Sequence, residues 1–361
     1  MKKSIIQITN SERQTFLSCR QRHSYKYVQR LRTVHESSAL KIGKLVHYGV
    51  ETALHMFRDS DGSMSLEALA QAAHTFMDAQ VQEGADVDSY QEWQKDQEIG
   101  KFMVSEYIHN HLATVNKKHL WAIEWGFDVP LPIAELEGQG AMYAGKVDSI
   151  WKQGDQWILE ELKTTAMDVG QWVERLELDT QTRGYAYALH TQEKVPYENI
   201  LVRWVILKKT MPKPPLVLKN GTVSTDKRQN TTQAMYVAAL TEQEGRGIPI
   251  KDAQRQAVQH FPMRAQVFHV VEMPVLDVSR WVAEVRKDAW QIMESHFHPY
   301  YVPVRNMDLC TRPGGYCEYK QVCVESAWAE DHWVEMGLFR RADYKHEELM
   351  APVPEEQMDD Q

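Results

Sequence analysis

Two stretches of alternating side chains, residues 142–151 and 157–163, flank the turn residues Gln153, Gly154 and Asp155 and so predict a β-hairpin in mid-chain. Side chains alternate along a strand, which puts Glu161 and Lys163 on one face and Glu160 and Leu162 on the other. If the first strand brings Asp148 to the face of Glu161, two carboxylates and one ammonium converge. Such a site binds a hard divalent cation through oxygen, Mg²⁺ or Mn²⁺, and leaves room for water and a phosphate oxygen. The cation lowers the pKa of its bound water; Lys163 can orient or help deprotonate that water and stabilise charge on phosphorus. A solvated edge strand displaying acids and lysines would read the same way.

The pattern around the hairpin predicts a mixed α/β core. Asn10 or Ser11 can cap a helix that carries Phe16, Leu17 and Cys19 and then Tyr25, Tyr27 and Val28. A second helix is expected over residues 42–57, with His47 and Glu51 four apart and therefore on one face. Helical spacing over residues 65–113 reads as an insertion or subdomain. Strands are expected at residues 121–127, 201–207 and 266–273, helices at 168–191 (broken near Leu178), 232–244, 252–260 and 277–295, and a Pro- and Gly-punctuated loop at 208–230. Strands clustered in the middle with helices before and after indicate helices packed on a sheet.

The net charge of −9 by itself argues against a nucleic-acid partner, but it is unevenly distributed. Residues 11–44 hold eight basic side chains against two acidic ones, and residues 203–228 hold seven against one, while the last twenty residues hold seven acids against one lysine. Two basic stretches suit DNA, as solvated faces also would. No apolar run approaches the length of a membrane-spanning helix, and the first residues turn polar before a signal sequence could form, so an intracellular protein is expected. In that setting Cys19, Cys310, Cys317 and Cys323 suggest metal binding before disulfides, against the alternative of four unrelated buried thiols.

Taken with its surroundings, the Asp148 … Glu161-Leu162-Lys163-Thr164 hairpin resembles the PD-(D/E)XK nuclease superfamily, and within it the RecB-type exonucleases. Gly43 to His47 is similar to that family's Gly-x-x-x-His helix, and Gln181 to Tyr185 to its Gln-x-x-x-Tyr motif. The resemblance implies a restriction-endonuclease-like mixed central sheet flanked by helices. It also implies that His47, Asp148, Glu161 and the carbonyl of Leu162 hold Mg²⁺ or Mn²⁺, that Lys163 is the catalytic lysine, and that Gln181 and Tyr185 act together on Lys163 or on the DNA backbone. This chain departs from the pattern at Glu160, where the family has an apolar residue, leaving the acid register ambiguous by one; Glu161 is favoured because it shares a strand face with Lys163.

One cysteine near the start and three near the end resemble the arrangement in RecB-like nucleases that bind a [4Fe-4S] cluster, such as CRISPR-associated exonucleases. Four thiolates are what such a cluster requires, and tetrahedral Zn²⁺ is the alternative. Either would staple the N- and C-terminal segments. The expected divisions are N-terminal helices (1–57), a helical insertion (58–115), a nuclease core (116–300), a cysteine segment (301–330) and a flexible acidic tail (338–361). The resemblance implies a cytoplasmic phage- or prophage-type exonuclease acting on single-stranded DNA ends in recombination, repair or phage DNA processing, with room for partners from a recombination or replication complex. Alternatives are a structure-specific or restriction-like endonuclease and a non-catalytic DNA-binding metalloprotein.

Overall fold

The structure is a computed structural model that describes residues 4–34, 38–60, 64–79, 87–132, 139–176, 178–298, 300–310, 317–325 and 330–349. In chain order the strands are β1 (Ser4–Thr9), β2 (Leu31–Thr33), β3 (Leu120–Leu131), β4 (Gln139–Gln153), β5 (Gln156–Thr165), β6 (Ile200–Lys208), β7 (Phe268–Pro274) and β8 (Phe339–Arg341). The principal helices are α1 (Asn10–Ser18), α2 (Arg20–His23), α3 (Ser38–Asp59), α4 (Leu66–Ala79), α5 (Val87–Tyr107), α6 (Val169–Leu176), α7 (Gln181–Glu193), α8 (Gln233–Gly245), α9 (Asp252–Ala257) and α10 (Val278–Phe297).

A six-stranded mixed sheet organises the chain. β4 is antiparallel to β3 along one edge, and its other edge is divided. β1 runs parallel to β4 from Gln139 to Ala144, and β5 runs antiparallel to it from Ser149 onward. The stretch 145–148 between them pairs with neither, and β5 beyond Glu160 continues against β6 alone. The central sheet thus opens a notch beside Asp148.

Each face of the sheet is covered. Ile6, Tyr143, Val147, Leu159 and Trp204 pack under α7 and α10, with Trp281 and Ala289 fully buried. Trp151, Ile158, Leu162 and Val205 pack under α3, α4 and α5. These three helices therefore form the cover of one sheet face. Gly49 permits the close approach: a Cβ there would stand 2.7 Å from atoms of both Met77 and Val104.

The ends of the chain differ most from expectation. β1 has no counterpart among the expected strands, and the cap of α1 is Thr9, whose Oγ1 accepts from Glu12 N–H (3.1 Å), not Asn10 or Ser11. The helix expected to run through Val28 breaks at Cys19, which takes an extended conformation (φ −160°). Residues 339–349 are not a free tail. β8 pairs with β2, and the Lys345 ammonium (2.9 Å) and His346 (3.3 Å) reach the Glu12 carboxylate. His23 (2.9 Å) and His296 (3.3 Å) bond the same carboxylate, which is completely buried. Residues 350–361 lie outside the described residues.

The N-terminal basic stretch is largely committed to this clasp rather than displayed to a ligand. Arg13 pairs with Asp288 (2.6 Å), Arg22 with Glu318 (2.8 Å), and Arg32 donates to the Lys345 carbonyl (2.9 Å). Arg203, counted in the second basic stretch, is buried between Glu160 (3.2 Å) and Glu272 (2.6 Å).

Candidate active site

The notch gathers the residues singled out in the sequence. Asp148 leaves the β4 ladder at the point where β5 diverges, and its Oδ2 accepts the Leu162 backbone N–H at 2.7 Å. From α3, His47 Nδ1 stands 3.4 Å from Asp148 Oδ1. On β5, Lys163 Nζ donates to Glu161 Oε1 and, at 3.0 Å, to Gln181 Oε1 at the start of α7. Gln181 in turn donates to the Tyr185 hydroxyl one helical turn on. Gly184 lets α7 sit this close, because a Cβ at that position would meet the Tyr143 hydroxyl at 2.3 Å. His47, Asp148, Glu161, Lys163, Gln181 and Tyr185 therefore form one connected group.

Glu160 lies elsewhere. It points to the opposite face, where Tyr107 (3.0 Å), Ser149 (3.1 Å), His111 (2.8 Å) and Arg203 (3.2 Å) surround it. A concavity of about 470 Å³ lies on this side, lined by His111, Arg203, Phe268 and Glu272 among others, and it includes none of Asp148, Glu161 or Lys163. The alternation of β5 thus separates a structural acid from a candidate catalytic one.

Electrostatics separate the acids further. Burial pushes the Glu161 carboxyl up to about 7, and the negative charge of Asp148 adds to this against the pull of Lys163. Burial acts on Asp148 in the same direction, but His47 and the Leu162 N–H outweigh it and hold that carboxyl below its ordinary range. Burial would lower Lys163, yet Glu161 and Asp148 raise it, which keeps it an ammonium. Glu161 Oε2 is buried with no hydrogen-bond partner. A buried acceptor with an unfilled valence, beside a second carboxylate and an imidazole, is what a divalent cation would satisfy, so the donor set fits Mn²⁺ or Mg²⁺.

One neighbour was not singled out from the sequence. Glu124 on β3 has a positive φ of 48° and lies between the pairs Ile123–Ser149 and Trp125–Val147, opposite Asp148. Burial and the Asp148 charge raise its carboxyl, while Lys146 pairs with it and Glu51 adds a further negative neighbour. The nearest signal was the acidic character of residues 51 and 124, which periodicity alone could not bring together.

The cysteines are brought to one region by the packing of the two ends. Asn306 N–H approaches Cys19 Sγ at 3.5 Å, and the Asn306 side chain donates to the Ser18 carbonyl (2.9 Å). Tyr319 stacks on Tyr25 and Phe339, and its hydroxyl reaches the Leu31 carbonyl (2.8 Å). Burial pushes the Cys317 and Cys323 thiols up, with Cys310 close enough to act on both electrostatically and Cys19 on the second. All four are free thiols. Among the described residues, the one group of His, Cys, Asp or Glu with all ligand atoms within 4.8 Å of one another is Glu12, His23 and His296, so neither the notch nor the cysteines are drawn up that tightly.

A sequence profile described as the PD-(D/E)XK nuclease superfamily matches residues 7–324. The chain belongs to the PD-(D/E)XK nuclease superfamily. Its mixed sheet flanked by helices is consistent with the restriction-endonuclease-like fold, and membership makes it a phosphodiester-hydrolysing nuclease of a kind that typically uses Mg²⁺ or Mn²⁺. Among solved structures, this nuclease is similar to a protein from Eubacterium rectale provisionally described as an exonuclease, with 11% identity, a TM-score of 0.43, and coverage of 87% of this chain and 91% of that one. No curated protein matches it significantly. Among the described residues, no helix of the nuclease is long and apolar enough to cross a membrane.

Proposed function

We propose that the protein is a metal-dependent DNA exonuclease in which Asp148, Glu161 and His47 hold Mg²⁺ or Mn²⁺, with the Leu162 carbonyl as a further ligand and Lys163 as the catalytic lysine. The observation that carries this reading is the orphaned Glu161 Oε2 in a notch that also holds Asp148, His47 and Lys163. When bound, the cation supplies an activated water and neutralises the scissile phosphate. His47 and the Leu162 N–H fix the Asp148 carboxylate. Gln181, itself held by Tyr185, fixes the Lys163 ammonium where negative charge builds on phosphorus as water adds and the P–O bond breaks. The substrate is single-stranded DNA with free ends, encountered in recombination, repair or phage DNA processing in the cytoplasm.

A structural [4Fe-4S] cluster on Cys19, Cys310, Cys317 and Cys323 completes the proposal, with Zn²⁺ as the alternative occupant. The convergence of the chain ends around Asn306 supports a stapling role. The test uses anaerobically purified protein, its visible spectrum, iron and zinc content, and end-labelled linear and circular single-stranded DNA with and without Mn²⁺. Release of labelled mononucleotides or short oligonucleotides from linear DNA, with circles intact, is expected. Nicked circles would make the enzyme an endonuclease, and Lys163→Ala protein cleaving at the parental rate would remove the reaction from this notch.

A further inference from the structure

This inference rests on the nuclease reading and concerns how a strand is delivered to the notch. Lys209 N–H donates to the Thr165 carbonyl (2.7 Å), so the segment after β6 leaves the sheet at the end of β5 that bears Glu161 and Lys163. It then forms a short hairpin. Val217 and Val223 bridge antiparallel, Ser224 N–H bonds the Leu216 carbonyl (2.8 Å), and Gly221 occupies the turn at φ +80°, where a Cβ would also strike Ile248 at 2.5 Å.

The hairpin is anchored from behind. Val223 packs with Tyr236, Leu240 and Phe261, and the buried side chains of Gln243 and Gln254 bond its N–H (2.6 Å) and carbonyl (2.8 Å). Its outer strand nevertheless exposes three consecutive aliphatic residues, Leu216 (62%), Val217 (43%) and Leu218 (45%). Lys213, Lys219 and Lys227 are exposed around it, and exposed Arg228 pairs with Asp226 (2.8 Å), the sole acid from residue 208 to 230 in a chain of net charge −9.

Exposed aliphatic residues on a braced element, with Leu216 and Leu218 on one side by alternation, offer a surface to a partner, and the positive surroundings select a polyanion. Aromatic rings would suit stacking along a single strand, whereas aliphatic wedges part neighbouring bases. We propose that residues 216–218 abut the terminal base pair of a DNA duplex while the flanking cations hold its phosphates, parting the strands so that one enters the notch.

The test compares the parent with a triple variant, Leu216→Ser, Val217→Ser and Leu218→Ser, which changes exposed side chains and so retains the fold, checked by thermal melting. End-labelled duplex and the same strand alone are digested with Mn²⁺. Duplex digestion is expected to slow at least about tenfold while single-strand digestion stays within about twofold. In EDTA, 2-aminopurine in the terminal pair should brighten on binding the parent and not the variant. Equal slowing on both substrates, no slowing on either, or a dimer that becomes a monomer on substitution would overturn the wedge. A parent that opens the terminal pair but cleaves nothing would defeat the nuclease reading and leave the wedge standing; one that cleaves single strands without opening the pair would do the reverse.

Discussion

Replacing Glu160 by glutamine distinguishes the two adjacent acids of β5 by consequences of opposite kind. The Glu160 carboxylate is 2% exposed as a residue and is bonded by His111, Arg203, Tyr107 and Ser149. Burial alone would raise it, but His111 and Arg203, with Tyr107, outweigh burial and hold it at about 2. An unfolded glutamate titrates near ~4.3, so the charged form contributes about 3 kcal/mol to stability at neutral pH. Because the folded value is depressed, that contribution is complete above the unfolded pKa and is lost as pH falls toward about 2. Urea unfolding followed by circular dichroism should show Glu160→Gln destabilised by about 3 kcal/mol at pH 7, with the gap narrowing by about half at pH 3. Below its unfolding midpoint the variant should still cleave DNA. Wild-type stability at pH 7, an equal deficit at both pH values, or loss of cleavage in folded protein would refute the assignment of Glu160 to structure.

Glu161→Gln and Lys163→Ala should lose DNA cleavage by about a hundredfold to ten-thousandfold in Mn²⁺, measured on end-labelled DNA, and should unfold no more readily than the parent. The glutamine removes a carboxylate that burial already disfavours. Truncation after Gly337 should cost about 3–5 kcal/mol in urea, because it strips Lys345 and His346 from the fully buried Glu12 carboxylate. A truncated protein with an unchanged urea midpoint would show that the segment is not needed.

The candidate site was more legible in the sequence than the frame around it. Period-two alternation gave β4 and β5 nearly to their ends, and it alone placed Glu161 and Lys163 on one face and Glu160 on the other. Four-residue spacing similarly aligned Gln181 with Tyr185. β1 was missed because Ile5, Ile6 and Ile8 lie next to a polar start and pair in parallel with residues more than a hundred positions away, which no local pattern reports. The basic residues at 11–44 looked like a DNA surface because charge counts ignore partners; Asp288, Glu318 and the 339–349 segment claim several of them. That same segment reads as an acidic tail by composition, yet its few basic and imidazole groups decide its fate, since they meet a carboxylate that has no access to water.

The clasp and the notch share β1. β1 occupies the edge of β4 only as far as Ala144, so the position of β1 sets one boundary of the opening in which Asp148 stands. β1 leads directly into α1, and Cys19 terminates α1 against Asn306. If the four cysteines hold a metal, as proposed, its effect on catalysis should therefore come through the position of α1 and β1. Cys19→Ser is expected to lose the cysteine-bound metal, lower the melting temperature, and reduce cleavage in proportion to the unloaded fraction, while Mn²⁺ at saturating concentration fails to restore it. Full activity in protein shown by elemental analysis to lack iron and zinc would break the link between the staple and the notch, because β1 would then hold its register without it.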